Sequence, residues 1–252
     1  MKCIQSLRRA VLASQGCNHQ SIHRIWRLLT GRNFLMSNTK VLLADDHEMM
    51  RRGIRAAVEN MPGWEVCGEA GTGREAISMA EKFQPAIVVM DMSMPDLNGL
   101  EATRQIKKAS PMTEILAFTG REEETLVHQM FEAGARSYIL KTDGKEHFEA
   151  ALRALAAHKS YFTSEVGEVL FAKFLHGKGE VAGDSAPGRL TDREREIVQL
   201  LTEGKSNKEV ADVLHISQKT AETHRAAIMK KLKLASFADL VRYAIRNHIV
   251  SA

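Results

Sequence analysis

Ile87-Val88-Val89-Met90-Asp91-Met92-Ser93-Met94-Pro95-Asp96-Leu97-Asn98-Gly99 is the stretch that decides how this chain folds. Its first four residues are an apolar run rich in β-branched side chains, the pattern of a short strand buried on both faces. The run stops at a carboxylate, and Met-Pro-Asp-Leu-Asn-Gly then supplies turn-forming residues. In an open α/β sheet the chemistry sits beyond the carboxyl ends of the strands, which is where Asp91 falls. A lone aspartate after a strand is more often a helix cap or a turn residue. Its weight here comes from what ends the other strands.

Outward from this stretch, strand and helix patterns alternate. Strands are predicted over 40–44, 65–69, 86–90, 114–118 and 137–140, and helices near 48–59, 73–82, 99–108, 122–133 and 145–158. Five such repeats give the α/β class, a doubly wound five-stranded parallel sheet, (βα)5. The strand ends carry Asp45 and Asp46, then Asp91, Thr119 and Lys141. Neighbouring parallel strands lie about 4.8 Å apart, so these groups converge on one edge. Three crowded carboxylates repel and need a cation, and hard oxygen ligands with room for water suit Mg2+. Such a metal would neutralise charge on Asp91 and on an incoming phosphoryl group. Lys141 suits one phosphoryl oxygen as a point charge, the Thr119 hydroxyl suits another, and Asp91 is left as a nucleophile that forms an acyl phosphate.

The remaining composition sets bounds. The 252 residues, 44% hydrophobic and 26% charged, allow one large domain or two ordinary ones with real cores. No apolar run reaches the roughly 18 residues of a membrane span. Cys3, Cys17 and Cys67 fit no metal spacing and suggest a reducing compartment. The net charge of +4 is uneven: residues 37–175 sum to −5 and residues 189–252 to +4. That asymmetry points to nucleic acid at the C-terminal end. Residues 1–36 carry basic side chains and no acid, in the manner of an organellar transit segment. The expectation is instead a non-native or disordered extension, with Met36 as the natural start.

The C-terminal part reads as all-α. Ser164 is expected to cap a helical stretch running to about Leu175, followed by a Gly-rich flexible linker, so that 160–188 connects a first module (38–159) to a second (189–252). Thr191 with Glu194 forms a capping box, with Leu190 placed for a hydrophobic staple. Ile197, Val198, Leu200 and Leu201 follow on one helical face, and Gly204 closes that helix. A short helix over 207–214, a turn at 215–217, a longer helix over 218–233 and a fourth over 237–248 give a helix-turn-helix arrangement. Lys219, Arg225, Lys230, Lys231 and Lys233 make its surface basic. Lys219, Thr220, Arg225 and Lys230 are read as phosphate or groove contacts. Glu222 and Thr223 face outward beside a buried His224, with Glu222 either reading cytosine or pairing with Arg225.

The pattern Asp45-Asp46, Asp91-x-x-Met94-Pro95-x-x-x-Gly99, Thr119 and Ser137-Tyr138-Ile139-Leu140-Lys141 resembles the receiver domain of two-component response regulators. Leu190-Thr-Asp-Arg-Glu194, Gly204-Lys-Ser-Asn-Lys-Glu209, Ile216-Ser217 and Lys219 to Arg225 resemble the LuxR-type DNA-binding domain. Together they are similar to NarL/FixJ-type transcriptional regulators. The resemblance implies that Asp91 is phosphorylated by a sensor histidine kinase. It implies Mg2+ held by Asp45, Asp46, Asp91 and the Ser93 backbone carbonyl, and Thr119 with Tyr138 as a switch pair. It further implies a cytoplasmic protein, with no membrane contact, that dimerises on phosphorylation. The recognition helix over 218–233 would bind double-stranded promoter DNA, the last helix would be a dimer surface, and RNA polymerase would be a partner. Thr142 stands where many receivers have proline, so a trans bond is expected there. The rivals are a magnesium-dependent phosphatase, which would want a second Asp where Ser93 stands, and a phosphotransfer relay without DNA output.

Overall fold

The computed structural model describes residues 38–120, 124–168, 170 and 190–250. The expectations for residues 1–36, and for the Gly-rich linker from 176 on, lie outside these.

The first module alternates as the sequence predicts. In order it contains β1 (Thr39–Ala44), α1 (Glu48–Glu59), β2 (Trp64–Ala70), α2 (Gly73–Phe83), β3 (Ile87–Met90), α3 (Gly99–Ala109), β4 (Glu114–Thr119), α4 (Glu124–Ala133), β5 (Ser137–Leu140) and α5 (Lys145–Ala156). The sheet has six strands rather than the expected five, in the order β2-β1-β3-β4-β5-β6, every pair parallel. The added strand, β6 (Tyr161–Phe162), is only two residues long and so carries no periodic signal. It is held to β5 by ladder pairing and by the Tyr161 amide donating to Ser137 Oγ at 3.0 Å. On the opposite edge, the register of β2 against β1 slips at Val41/Leu42.

The inner strands are buried on both faces, which is why they read as continuous apolar runs rather than alternating ones. Leu42, Val88, Met90, Ile115 and Ala117 face one core with Ala76, Ile106 and Met130. Val41, Leu43, Ile87, Val89 and Leu116 face the other with Ile54, Val58, Phe148 and Leu152. After β6 the chain turns helical at Ser164, one residue earlier than expected. The Thr163 carbonyl already takes the Gly167 amide at 3.0 Å, so Thr163 occupies the cap position.

Four helices form the second module: α6 (Asp192–Thr202), α7 (Asn207–Leu214), α8 (Gln218–Lys231) and α9 (Phe237–Arg246). Capping boxes start three of them, through Thr191 with Glu194, Ser206 with Glu209 and Ser236 with Asp239. Gly204 ends α6 in the left-handed region, at φ 91°. Leu190, Ile197, Val198, Leu201, Val210, Leu214, Ile228 and Leu240 build this module's own core. Both modules fall within one compact unit, residues 39–252.

Candidate functional site

The sheet order reverses at β1 and β3, the place where α/β sheets open a crevice at their carboxyl ends. Ala44 pairs with Met90, and the Asp91 amide donates to the Ala44 carbonyl at 2.8 Å, which sets Asp45 beside Asp91. On the other side Thr119 pairs with Leu140, and the Lys141 amide donates to the Thr119 carbonyl at 2.7 Å. Asp45 and Asp91 are almost fully buried at 2% and 3% exposure. Lys141 Nζ reaches both, 2.6 Å from Asp45 Oδ2 and 2.9 Å from Asp91 Oδ2.

Burial pushes the Asp91 carboxyl above its ordinary range, Asp45 adds to the push, and Lys141 opposes it. For Lys141, burial pulls downward and is outweighed by its hydrogen bonds and ion pairs with Asp45 and Asp91, so the ammonium is held above its usual value. A raised carboxyl binds its proton more tightly in the folded chain than in the unfolded one. Its contribution to stability is therefore full below the ordinary carboxylate range and is lost as pH rises through the elevated value. In metal-free buffer the melting temperature of the wild type should fall over that window more steeply than that of Asp91→Asn. Equal slopes would remove Asp91 as the source.

One ligand atom each of Asp45, Asp46, His47 and Asp91 lies within 4.8 Å of all the others. Three carboxylates against the Lys141 ammonium leave two negative charges, the charge of one divalent cation. Asp46 is partly exposed and takes His47 Nδ1 at 2.7 Å, while the His47 amide donates to Asp45 Oδ1 at 2.8 Å. His47 was not among the predicted site residues, although its place directly after two aspartates was a signal. Ser93 lies half-buried in the loop below Asp91. Thr119 is buried at the end of β4. The Tyr138 ring is also wholly buried, packed in the core of Leu126, Val127 and Met130. The peptide after Lys141 is trans, as expected. Asp143 closes the turn, its Oδ2 accepting from the Leu140 amide at 2.7 Å.

Close backbone contact sets the loop from Asp91 to Asn98. Asn98 caps α3, its Oδ1 accepting from the Glu101 amide at 2.9 Å. The Gly99 amide donates to the Met92 carbonyl at 3.0 Å, and the Gly73 amide at the start of α2 donates to the Leu97 carbonyl at 3.1 Å. A Cβ at Gly99 would stand 1.8 Å from the Asp91 carbonyl oxygen, and one at Gly73 would stand 2.2 Å from that of Leu97. The motif's final glycine is there because a helix start must touch the backbone of the carboxylate itself.

In the second module α8 runs from Gln218 to Lys231, two residues shorter than expected: Leu232 caps it and Lys233 is left-handed. Ala221 and Ile228 are its buried residues, and His224 is only half-buried rather than inward. Lys219, Thr220, Thr223 and Lys230 are exposed. Glu222 takes Gln218 Nε2 at 3.2 Å and faces Lys219, not Arg225. Arg225 is half-buried, with its guanidinium 5.5 Å from the centre of the Phe237 ring. Lys231 is drawn to Glu194 at 2.7 Å, which takes it out of the free basic surface. The chain thus combines an acidic pocket, buried at Asp45 and Asp91 and open at Asp46, with a capped helix whose exposed face is basic.

Comparison with known proteins gives two family matches, the response regulator receiver domain over residues 41–153 and the luxR family of bacterial regulatory proteins over residues 188–244. The chain is 37% identical over 213 residues to transcriptional regulatory protein LiaR of Bacillus subtilis, covering 84% of this chain and 99% of the relative. It is also 37% identical to response regulator protein VraR of Staphylococcus aureus, covering 84% and 98%. Among solved structures it is similar to RcsB from Salmonella enterica serovar Typhimurium bound to promoter rprA in the presence of phosphomimetic BeF3−. That match has a TM-score of 0.52 and 26% identity, and covers 82% of this chain and 98% of that one.

Proposed function

Because this chain belongs to the two-component response regulators that join a receiver to a LuxR-type DNA-binding domain, a family of transcriptional regulators rather than enzymes, we propose that Asp91 is its phosphoacceptor. The single observation that carries this reading is the buried Asp45–Lys141–Asp91 cluster at the sheet's reversal point. Asp91 attacks the phosphorus of a sensor histidine kinase's phosphohistidine, the P–N bond breaks, and the imidazole leaves with its electron pair. Lys141 faces one phosphoryl oxygen with its charge, and the Thr119 hydroxyl donates to a second. Asp45, Asp46, Asp91 and the Ser93 carbonyl would hold Mg2+, which when bound offsets the charge that gathers during transfer. Thr119 and Tyr138 serve as the switch pair.

The output is double-stranded promoter DNA, bound by a dimer formed on phosphorylation, with RNA polymerase as the downstream partner in the cytoplasm. Among the described residues no helix is long and apolar enough to cross a membrane. The exposed α8 residues Lys219, Thr220, Thr223 and Lys230 face the DNA, with Glu222 and Arg225 at the flanks. Incubating the protein with a histidine kinase or acetyl phosphate and sequencing the DNA it then retains tests the whole reading.

One part of it is quantitative. Arg225→Ala should weaken binding to every sequence, and the salt dependence should flatten by about one unit of slope. An unchanged slope would leave Arg225 as the packing partner of Phe237 and nothing more.

A further inference from the structure

The acidic turn that follows β1 is held from behind. Arg51, in the first turn of α1, donates Nη1 to the Asp45 carbonyl at 2.6 Å and Nε to Glu69 Oε2 of β2 at 3.2 Å. Its side chain is only 17% exposed, although arginine heads ordinarily stay in water. The Asp45 amide is occupied too, donating to the Ala70 carbonyl at 3.1 Å, so β2 and α1 take both polar backbone groups of Asp45. Asp45 Oδ1 accepts from the His47 amide at 2.8 Å, and Oδ2 meets Lys141.

The ordinary fastening for such a turn is missing. His47 stands in the cap position of α1, and its side chain makes no capping hydrogen bond. Arg51 ties the helix start back to the strand end instead: its amide donates to the His47 carbonyl at 3.1 Å while its guanidinium holds the Asp45 carbonyl. That carbonyl and the Asp46 amide form one planar unit, so fixing the first fixes the plane from which the Asp46 side chain departs. Asp46 is the most exposed of the three carboxylates, at 33%, and depends most on its backbone for direction. The guanidinium also brings no uncompensated charge to a site that needs a cation. Glu69 accepts from Arg55 at 2.6 Å as well as from Arg51, and Arg55 meets Glu59 at 2.7 Å, so two arginines face two glutamates. Burial pushes the Glu69 carboxyl up and is outweighed by Arg55 and Arg51, which hold it below its ordinary range.

We propose that Arg51 is a positioning residue for the metal: through the Asp45 carbonyl it holds the Asp45–Asp46 peptide in the orientation that presents both carboxylates to one divalent cation. This rests on the reading above that Asp45, Asp46 and Asp91 hold Mg2+. Arg51 acts through the two aspartates and not on the ion itself. Its planar fork serves a carbonyl and a carboxylate at once, whereas lysine keeps the charge as a point on a flexible stem and loses that shared geometry. A ligand arm without its backing has to be ordered again when the ion binds, so affinity falls although every ligand is still present.

The test uses the full chain and Mn2+ as the probe, with the free ion read by electron paramagnetic resonance. Arg51→Lys should bind Mn2+ about tenfold more weakly than the wild type, the loss expected when a support behind a ligand is removed. Arg55→Lys disturbs the same Glu69 without touching Asp45, and its affinity should stay within about twofold, since partly exposed ion pairs contribute little. In metal-free buffer the His47 amide should exchange faster in Arg51→Lys, because its acceptor, Asp45 Oδ1, rides on the released peptide. The Asp91 amide, bonded to Ala44, should exchange as in the wild type, which separates a local release from a loosened sheet. Undiminished Mn2+ affinity in Arg51→Lys, or an equal loss in both variants, would overturn the proposal. A wild type that takes up no Mn2+, with His47 exchange still faster in Arg51→Lys, would overturn the Mg2+ reading and uphold the hold on the peptide. Unchanged His47 exchange would overturn that hold.

Discussion

Replacing Asp91 by asparagine should reduce labelling from a phosphorylated histidine kinase or acetyl phosphate by about a thousandfold or more, because an amide cannot form the acyl phosphate. The protein should stay folded. Lys141 keeps its 2.6 Å partner Asp45, and the variant removes a charge that burial and Asp45 already disfavour. Folding and labelling therefore separate cleanly. The readout is a hydroxylamine-labile phosphate bond, present in the wild type and missing in the variant. Labelling of Asp91→Asn at the wild-type level would move the phosphoacceptor elsewhere in the chain.

Gly99→Ala has the second large effect, and it falls on stability. Its Cβ would lie 1.8 Å from the Asp91 carbonyl oxygen, 2.9 Å from that carbonyl carbon and 3.1 Å from Met90 Cγ. Two of these atoms are backbone at a strand end and have no rotamer in which to move aside. Relief has to come from shifting α3 or the loop, at a cost of about 3 kcal/mol by comparison with overpacked cores. For a module of this size that lowers the melting temperature by about 10 °C. Phosphoryl uptake should fall as well, since Ser93 and Asn98 ride on the displaced loop. A melting temperature within about 2 °C of the wild type would show that the helix start tolerates the methyl group.

The site was legible because each of its residues follows a short apolar strand, and strand ends in a parallel sheet are neighbours by topology. Asp45, Asp91 and Lys141 therefore came together as read, and Thr119 lies at the adjoining strand end. The helix starts of the second module were legible for a local reason: Thr191 with Glu194 is a contact within four residues. What escaped was long-range or very short. β6 is too brief to show alternation. Asp143 does by hydrogen bonding what a proline ring would have announced. Gln199 reads as one polar residue on an amphipathic helix, and its partners beyond that helix are the Asn98 amide and the Met94 carbonyl, backbone groups that every sequence possesses and none advertises. Glu222 pairs with Gln218 in the preceding turn rather than with Arg225, because the ring of Phe237, at the start of the next helix, claims the guanidinium.

The two borders of the sheet have a bearing on how copies of this protein associate. A strand left open at a border invites another chain to add to it. Here one border is closed by a stub of two residues. The other is β2, which slips its register and carries Glu65 and Glu69, with Glu69 bound to Arg51 at 3.2 Å and Arg55 at 2.6 Å. A short border and a charged, irregular one both discourage intermolecular ladders, so self-association is left to helical surfaces.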